Sequence, residues 1–294
     1  MSTRYWNRAA GKEEEELVYG DAFVKLLYGN SIGLALTDSL LTRTFVSKAY
    51  GALQSSRLSQ GKIEPFIKKF SIPMDEFEPG PFHTFNDFFI RRFLPGKRNF
   101  AVDPSRMPAF AEARYYAFSE VTEKTLAPIK GLSLSPLALL EKIPGAASFV
   151  GGPAFLARLC PVDYHRFHYP DDGQTISEMS LHGRLHSVNP LALKQKPDIF
   201  LTNERSVSIL QTKNFGKLAY VEVGALCVGK IVQTHREKSF QRGAEKGYFL
   251  FGGSTVIVIG EPGKWLPDAD ILARTSQGQE CLIRLGEAIA KRNS

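Results

Sequence analysis

The chain is poor in cysteine and has no long hydrophobic run, and each shortage excludes a class of protein. Only Cys160, Cys227 and Cys281 are present. They form no CxxC pair and leave one odd, so a disulfide scaffold is excluded and a reducing compartment fits best. No run of about eighteen apolar residues occurs, so no helical segment is expected to span a bilayer. The opening Met1-Ser2-Thr3-Arg4-Tyr5-Trp6 lacks an apolar signal core and runs into Glu13–Glu16, which argues against a secretory or mitochondrial leader. Internal repeats and low-complexity linkers are also missing.

What is there describes an ordinary folded chain. With 294 residues, 43% hydrophobic and 23% charged, it is neither disordered nor collagen-like. A chain of this size buries about three quarters of its unfolded surface and needs no staples. The net charge of +7 is unevenly spread. Residues 17–72 carry seven Lys/Arg against three Asp/Glu, whereas residues 254–294 carry five of each. A basic N-terminal part suits an anionic partner, nucleic acid or lipid headgroups, although a solvated basic face is the plainer explanation.

Residues 20–72 read as helical, because apolar residues recur at three- and four-residue spacing: Phe23, Leu26, Leu27, then Leu41, Phe45, Ala49, Leu53, then Ile63, Phe66, Ile67, Phe70. Asp21 suits an N-cap and Gly29-Asn30 a stop. Lys25, Lys48, Lys68 and Lys69 lie among these positions, a composition that fits either a helix lying flat on a membrane or one packed on the protein's own core. Thr84-Phe85-Asn86-Asp87 reads as a capped short helix with Phe85, Phe88 and Phe89 inward. From about residue 110 the pattern turns to short apolar runs, Tyr115–Phe118, Phe155–Leu159, Val207–Leu210, Leu218–Val223, Gly247–Phe251 and Val256–Ile259, broken by Gly, Pro, Asn and Asp. The expected class is α+β: a helical region over 1–72, an appendage more than a second domain, on a β-rich core over 73–294.

Two stretches carry possible chemistry. In Gly247-Tyr248-Phe249-Leu250-Phe251-Gly252-Gly253-Ser254-Thr255-Val256-Ile257, glycines and hydroxyls interrupt an otherwise apolar strand. A β-bulge explains this blandly. The sharper reading is a backbone that must distort at Gly253 so that the Ser254 hydroxyl can attack the preceding carbonyl. The pattern is not the GxSxG elbow. The second stretch is Asp163-Tyr164-His165-Arg166-Phe167-His168, whose histidines could do acid–base work with Asp163 orienting one of them. No further ligand stands nearby at metal spacing, so no metal is expected. His182 and His186 flank Gly183 and read as surface or turn residues.

Gly252-Gly253-Ser254-Thr255 after Phe249-Leu250-Phe251, together with Asp163–His168, Ser187-Val188-Asn189-Pro190 and Phe85-Asn86-Asp87-Phe88-Phe89, resembles the phosphatidylserine decarboxylase family, closest to its bacterial form. The order of the motifs matches, and the resemblance runs from about residue 20 onward. It implies self-cleavage at Gly253–Ser254 into a β chain of 1–253 and an α chain of 254–294, with Ser254 becoming a covalent pyruvoyl group. It implies that His168, with an acidic partner, takes the proton of Ser254, and that His165 handles the proton in decarboxylation. Phosphatidylserine would form a Schiff base with the ketone, lose CO₂ and leave as phosphatidylethanolamine.

One departure stands out. The family's acid sits in a Pro-Ala-Asp-Gly-like stretch, and the counterpart here is Phe110-Ala111-Glu112-Ala113. The longer Glu112 puts the geometry of that partner in doubt, with Asp163 as a substitute or second partner. Two other readings stay open: an unprocessed, non-catalytic lipid-binding paralogue, and a serine hydrolase using Ser254 with His168. The resemblance further implies a homo-oligomer, peripheral on the cytoplasmic face of the cell membrane. Nucleic acid drops out, since no recognition motif for it appears.

The basic region of residues 17–72 then becomes a docking surface for an anionic leaflet, at about 1 kcal/mol for each Lys or Arg that reaches it. Binding to phosphatidylserine vesicles should weaken strongly as salt is raised to about 0.5 M. Binding indifferent to salt would refute that surface.

Overall fold

The computed structural model describes residues 4–16, 37, 50–128, 133–188, 190–195, 198–225, 230–252 and 254–293. The helical expectation over Phe23, Leu26, Leu27, Leu41, Phe45 and Ala49, its cap and stop, Lys25 and Lys48, and also Asn189, Cys227 and Gly253, lie outside the described residues. Among the described residues no helix is long and apolar enough to cross a membrane.

The strands, in chain order, begin with β1 (Arg4–Asn7), β2 (Lys12–Glu15), β3 (Arg106–Pro108) and β4 (Ala113–Val121). Then come β5 (Gly152–Leu159), β6 (Arg166–His168), β7 (Gly173–Leu181) and β8 (Arg205–Thr212). β9 (Lys217–Val223), β10 (Ile231–Gln233), β11 (Ser239–Phe240) and β12 (Glu245–Phe249) follow. The last are β13 (Ser254–Gly260), β14 (Trp265–Pro267), β15 (Glu280–Ile283) and β16 (Ala288–Arg292). Ten of them form one sheet in the order β11-β7-β8-β9-β13-β5-β4-β15-β1-β2. Two three-stranded sheets, β10-β12-β6 and β14-β16-β3, accompany it.

The apolar runs found in the sequence become the middle of the large sheet. β13 pairs antiparallel with β9 on one side and β5 on the other, and every residue of β5 and β13 is buried. A strand covered on both faces needs apolar residues at every position, which is why Val256–Ile259 shows no alternation. Toward the edge, β7 alternates between more and less exposed residues, with one face to water.

Residues 4–16 differ from the helical expectation over 1–72. They form a hairpin whose first strand pairs in parallel with β15, so this part of the region belongs to the main sheet. Among the described residues of that region, 50–54 are helical, and α1 (Ile63–Phe70) buries Ile63 and Phe66. Phe66 packs edge-on against Phe85 and Phe88 of α2 (Phe85–Phe89), so this helix presents its apolar face to the protein's own core. Lys62, Lys68 and Lys69 remain exposed. A two-turn helix over Ala269–Ser276, too short to show periodicity in the sequence, lies on β4, where Thr275 Oγ1 accepts the Ala117 N–H at 2.9 Å.

One face of the large sheet holds a buried ionic cluster. Arg114 and Arg158 stand opposite each other on β4 and β5. Arg158 grips Glu280 with Nε at 2.7 Å and Nη2 at 2.5 Å, and Glu16 with Nη2 at 2.6 Å. Burial alone would raise the Glu16 carboxyl, but Arg158 and Arg114 carry it down to about 2. Removing one partner of such a cluster strands the others without a countercharge, so Arg158→Ala should cost about 3–5 kcal/mol of stability, read by urea denaturation.

Candidate active site

The position of Ser254 follows from a change of sheet. β12 belongs to a three-stranded sheet and β13 to the ten-stranded one, and only residues 250–253 join them. The approach is held residue by residue. Phe249 N–H donates to the His165 carbonyl at 2.9 Å, Leu250 N–H to the Lys230 carbonyl at 3.1 Å, and Phe251 N–H to Asn86 Oδ1 at 2.9 Å. Gly252 then takes φ of +143°, a conformation open in practice to glycine alone. Ser254 enters the large sheet opposite Leu159. The glycines therefore mark a crossing between sheets, where a bulge within one strand was the bland alternative.

Ser254 and His165 are both fully buried. Ser254 Oγ lies 3.4 Å from His165 Nδ1, and His165 Nε2 lies 2.8 Å from the Cys160 carbonyl oxygen. A carbonyl can only accept, so Nε2 carries the proton and the Nδ1 lone pair faces the serine hydroxyl. The Oγ–Nδ1 separation is loose, as is common in a site before reaction. Burial lowers His165 to about 3, with the Arg91 charge adding to the effect, so the imidazole is neutral near pH 7. Phe89 stacks on it with ring centroids 3.9 Å apart and excludes water.

Asp163 acts on this histidine through the backbone. Its carboxylate accepts the Cys160 N–H at 2.7 Å and Arg114 Nη1 at 2.6 Å, while its own N–H donates to the Cys160 carbonyl at 2.9 Å. Burial pushes the Asp163 carboxyl up, and Arg114 offsets this in part. Arg91 donates to the Val162 carbonyl at 3.0 Å, fixing the same turn from the other side.

His168 has different surroundings. Alternation along β6 sends Phe167 into the core and turns Arg166 and His168 the other way. His168 Nδ1 donates to the Gly243 carbonyl at 2.9 Å, and its Nε2 lies 3.4 Å from the Tyr164 hydroxyl. It borders a cavity of about 340 Å³ lined also by Tyr164, Glu245, Arg92 and Arg98. Burial lowers it to about 4. Thus the serine hydroxyl meets His165, the histidine expected to act in decarboxylation, and His168 stands apart from it.

Glu112 lies on the segment that accepts the His168 N–H at Phe110, at 2.8 Å. Its carboxylate is turned to Arg98, at 2.5 and 2.8 Å, and accepts the Leu285 N–H at 3.2 Å. Arg98 thus stands between Glu112 and the cavity beside His168. His182 is exposed, but His186 is buried, its N–H held by Asn203 Oδ1 at 2.9 Å, contrary to the surface expectation. Among the described residues no group of three or more His, Cys, Asp or Glu could hold a metal ion. Sequence reasoning missed the Cys160 carbonyl, Phe89, Asn86, Arg91, Tyr164 and Glu245 as parts of the site. The Phe85–Phe89 and Asp163–His168 stretches pointed toward several of them, whereas nothing marked Glu245.

Just past the glycines, a buried serine hydroxyl thus faces a buried, neutral imidazole. Among known proteins, the phosphatidylserine decarboxylase family profile matches residues 85–291, and the chain belongs to that family of decarboxylases. The phosphatidylserine decarboxylase proenzyme of Clostridium novyi (strain NT) is 39% identical over 289 residues, 97% of this chain and 98% of that protein. That of Clostridium botulinum (strain Alaska E43 / Type E3) is 37% identical with the same coverage. The proenzyme of Chlamydia trachomatis serovar L2 is 37% identical over 294 residues, 99% of this chain and 97% of that protein.

The buried His165 and His168 make stability depend on pH. Unfolded, each takes up a proton as pH falls below 6.5, whereas folded they resist until about 3 and 4. Stability from these groups is therefore lost as pH falls through that interval and regained as it rises. In the uncleaved Ser254→Ala chain, His165→Asn should flatten the pH slope of urea stability between about pH 4.5 and 6, by up to about 1.4 kcal/mol per pH unit.

Proposed function

We propose that the chain is a phosphatidylserine decarboxylase that makes its own covalent pyruvoyl group at Ser254, dividing into chains of 1–253 and 254–294. The observation that carries this reading is the Ser254 hydroxyl set against the His165 lone pair immediately after the Gly252–Gly253 crossing.

In the uncleaved chain His165 Nδ1 takes the hydroxyl proton as Oγ bonds to the Gly253 carbonyl carbon. The Gly253–Ser254 C–N bond then breaks, and the nitrogen recovers a proton. This leaves residue 253 as an ester on Oγ and a free amine at 254. Loss of the Cα proton expels the residue 253 carboxylate from Cβ, and water replaces the nitrogen, which departs as ammonia, leaving a ketone. The surroundings fit such a group: a buried strand start, a neutral imidazole beside it and an aromatic cover against water. The ketone supplies an electrophile for the substrate amine and a sink for the electron pair left by CO₂. His165, already beside residue 254, is placed to return a proton to the carbon that loses CO₂. Phosphatidylserine at an anionic membrane surface is the substrate we assign, with both chains of one precursor forming the enzyme. The exposed Lys62, just before α1, and Lys68 and Lys69 of α1 support a peripheral position on the cytoplasmic face.

A second assignment of the cleavage base rests on the family resemblance and on the neutral state of His168: that histidine takes the Ser254 proton after leaving the Gly243 carbonyl. Intact-mass measurement of fresh protein separates the two. The parent should appear as two fragments divided before residue 254, the smaller capped at its N-terminal end by pyruvoyl, and should release CO₂ from phosphatidylserine vesicles. Ser254→Ala should remain one full-length species of 32.7 kDa. An intact His165→Ala with a cleaved His168→Ala supports the geometric assignment, and the reverse supports the second. A parent that stays whole and releases no CO₂ would overturn the decarboxylase reading in favour of a lipid-binding paralogue.

A further inference from the structure

The segment ahead of the proposed cleavage point is held from outside both sheets by one side chain. Asn86 is buried in α2, and its Oδ1 accepts the Phe251 N–H at 2.9 Å. An N–H can only donate, so this contact fixes which amide atom is oxygen. The other end of the amide, Nδ2, donates to Ser55 Oγ at 2.8 Å. Asn86 thus ties the crossing at Phe251 to the segment around residue 55.

The support beneath Asn86 is rigid. Thr84 Oγ1 accepts the Asp87 N–H at 3.1 Å, and Asp87 Oδ2 accepts the Thr84 N–H at 3.0 Å, closing a capping box. The Phe85 N–H, which the helix leaves free, is taken by Ser59 Oγ at 2.8 Å. Phe85, Phe88 and Phe89 are buried on either side. Phe251 in turn stands edge-on to Phe85 and Phe89, ring centroids 5.0 Å away in each case. A five-residue helix would fray alone, yet here its ends and faces are all held.

Resting on the self-cleavage reading, we propose that Asn86 is a positioning residue for that reaction: it pins the backbone two residues before Gly253, so that the Gly253 carbonyl is presented to Ser254 Oγ. The geometry gives this hydrogen bond leverage. Beyond it come two glycines, with Gly252 at φ +143°, and ladder pairing resumes at Ser254. Glycine backbones do not hold a carbonyl at one angle unaided. The described supports on either side of Gly253 are strand β13 after it and the Asn86 contact at Phe251 before it. Attack demands alignment of the reacting atoms, and a shift of about 1 Å can cost about a hundredfold in rate.

The test follows the time course of chain cleavage by intact mass in freshly folded protein, with thermal melting alongside. Asn86→Leu keeps the volume but removes the acceptor, and should slow cleavage about ten- to a hundredfold. Asn86→Asp keeps an acceptor for the Phe251 N–H, and should restore cleavage to within a few-fold of the parent. A purely structural role would track melting temperature instead of the acceptor. Ser55→Ala loosens the far end of the amide without touching Phe251, and should slow cleavage by a smaller factor. Should Asn86→Leu fail to fold, Ser55→Ala cleaving at the parent rate overturns the proposal. Parent-rate cleavage in a folded Asn86→Leu also overturns it while leaving self-cleavage standing, provided Ser254→Ala stays whole. Cleavage of Ser254→Ala at the same point would instead overturn the self-cleavage reading itself.

Discussion

The site depends on one constraint: the chain must pass from a small sheet into the centre of a large one within residues 250–253. A strand that continued straight would put Ser254 in an unremarkable ladder. The crossing instead brings it to the buried start of β13, opposite Leu159, just before the turn that carries Cys160 and Asp163. That turn supplies the carbonyl that fixes the tautomer of His165. Serine, imidazole and carbonyl thus come together because two strand ends meet at one level of the large sheet. The glycines permit the path, and Asn86, His165 and Lys230 hold it by single hydrogen bonds.

Burial gives the site its chemical character. His165 is neutral because it is sealed beneath Phe89 and hears the charge of Arg91. The carboxylates expected nearby are occupied elsewhere: Asp163 by Arg114 and the Cys160 N–H, and Glu112 by Arg98. Neither makes its hydrogen bonds to a histidine ring. Asp163 bonds to the turn beneath His165, and Arg98, the partner of Glu112, lines the cavity beside His168. The buried ionic cluster serves both parts of the chain, because Arg158 of β5 grips Glu280, which lies beyond residue 254. A division before residue 254 would leave this grip and the pairing of β13 with β5 and β9 in place.

Much of the fold was legible in the residue pattern. The apolar runs at Phe155–Leu159 and Val256–Ile259 are strands because central, doubly covered strands need little else. Thr84-Phe85-Asn86-Asp87 announced its helix through a local capping box. The N-terminal hairpin was not legible. Lys12–Glu15 is a charged edge strand without alternation, held by pairing with β1 and, through it, with β15 far along the chain. Nor could spacing show that His165 and His168, three residues apart, look into different environments, since that depends on which strand β6 pairs with and where β13 begins.

The sequence by itself determined the family, the glycine-serine break in an apolar run and the residue types available for proton transfer, because these rest on local motifs and on backbone freedom. Tertiary structure alone decided which histidine meets Ser254, that Asp163 bonds to the Cys160 peptide and not to a histidine ring, that Glu112 faces an arginine, and that Asn86 reaches Phe251 from 165 residues away. Those outcomes depend on desolvation and on hydrogen bonds between distant segments, and both arise only when the sheets have closed around the site.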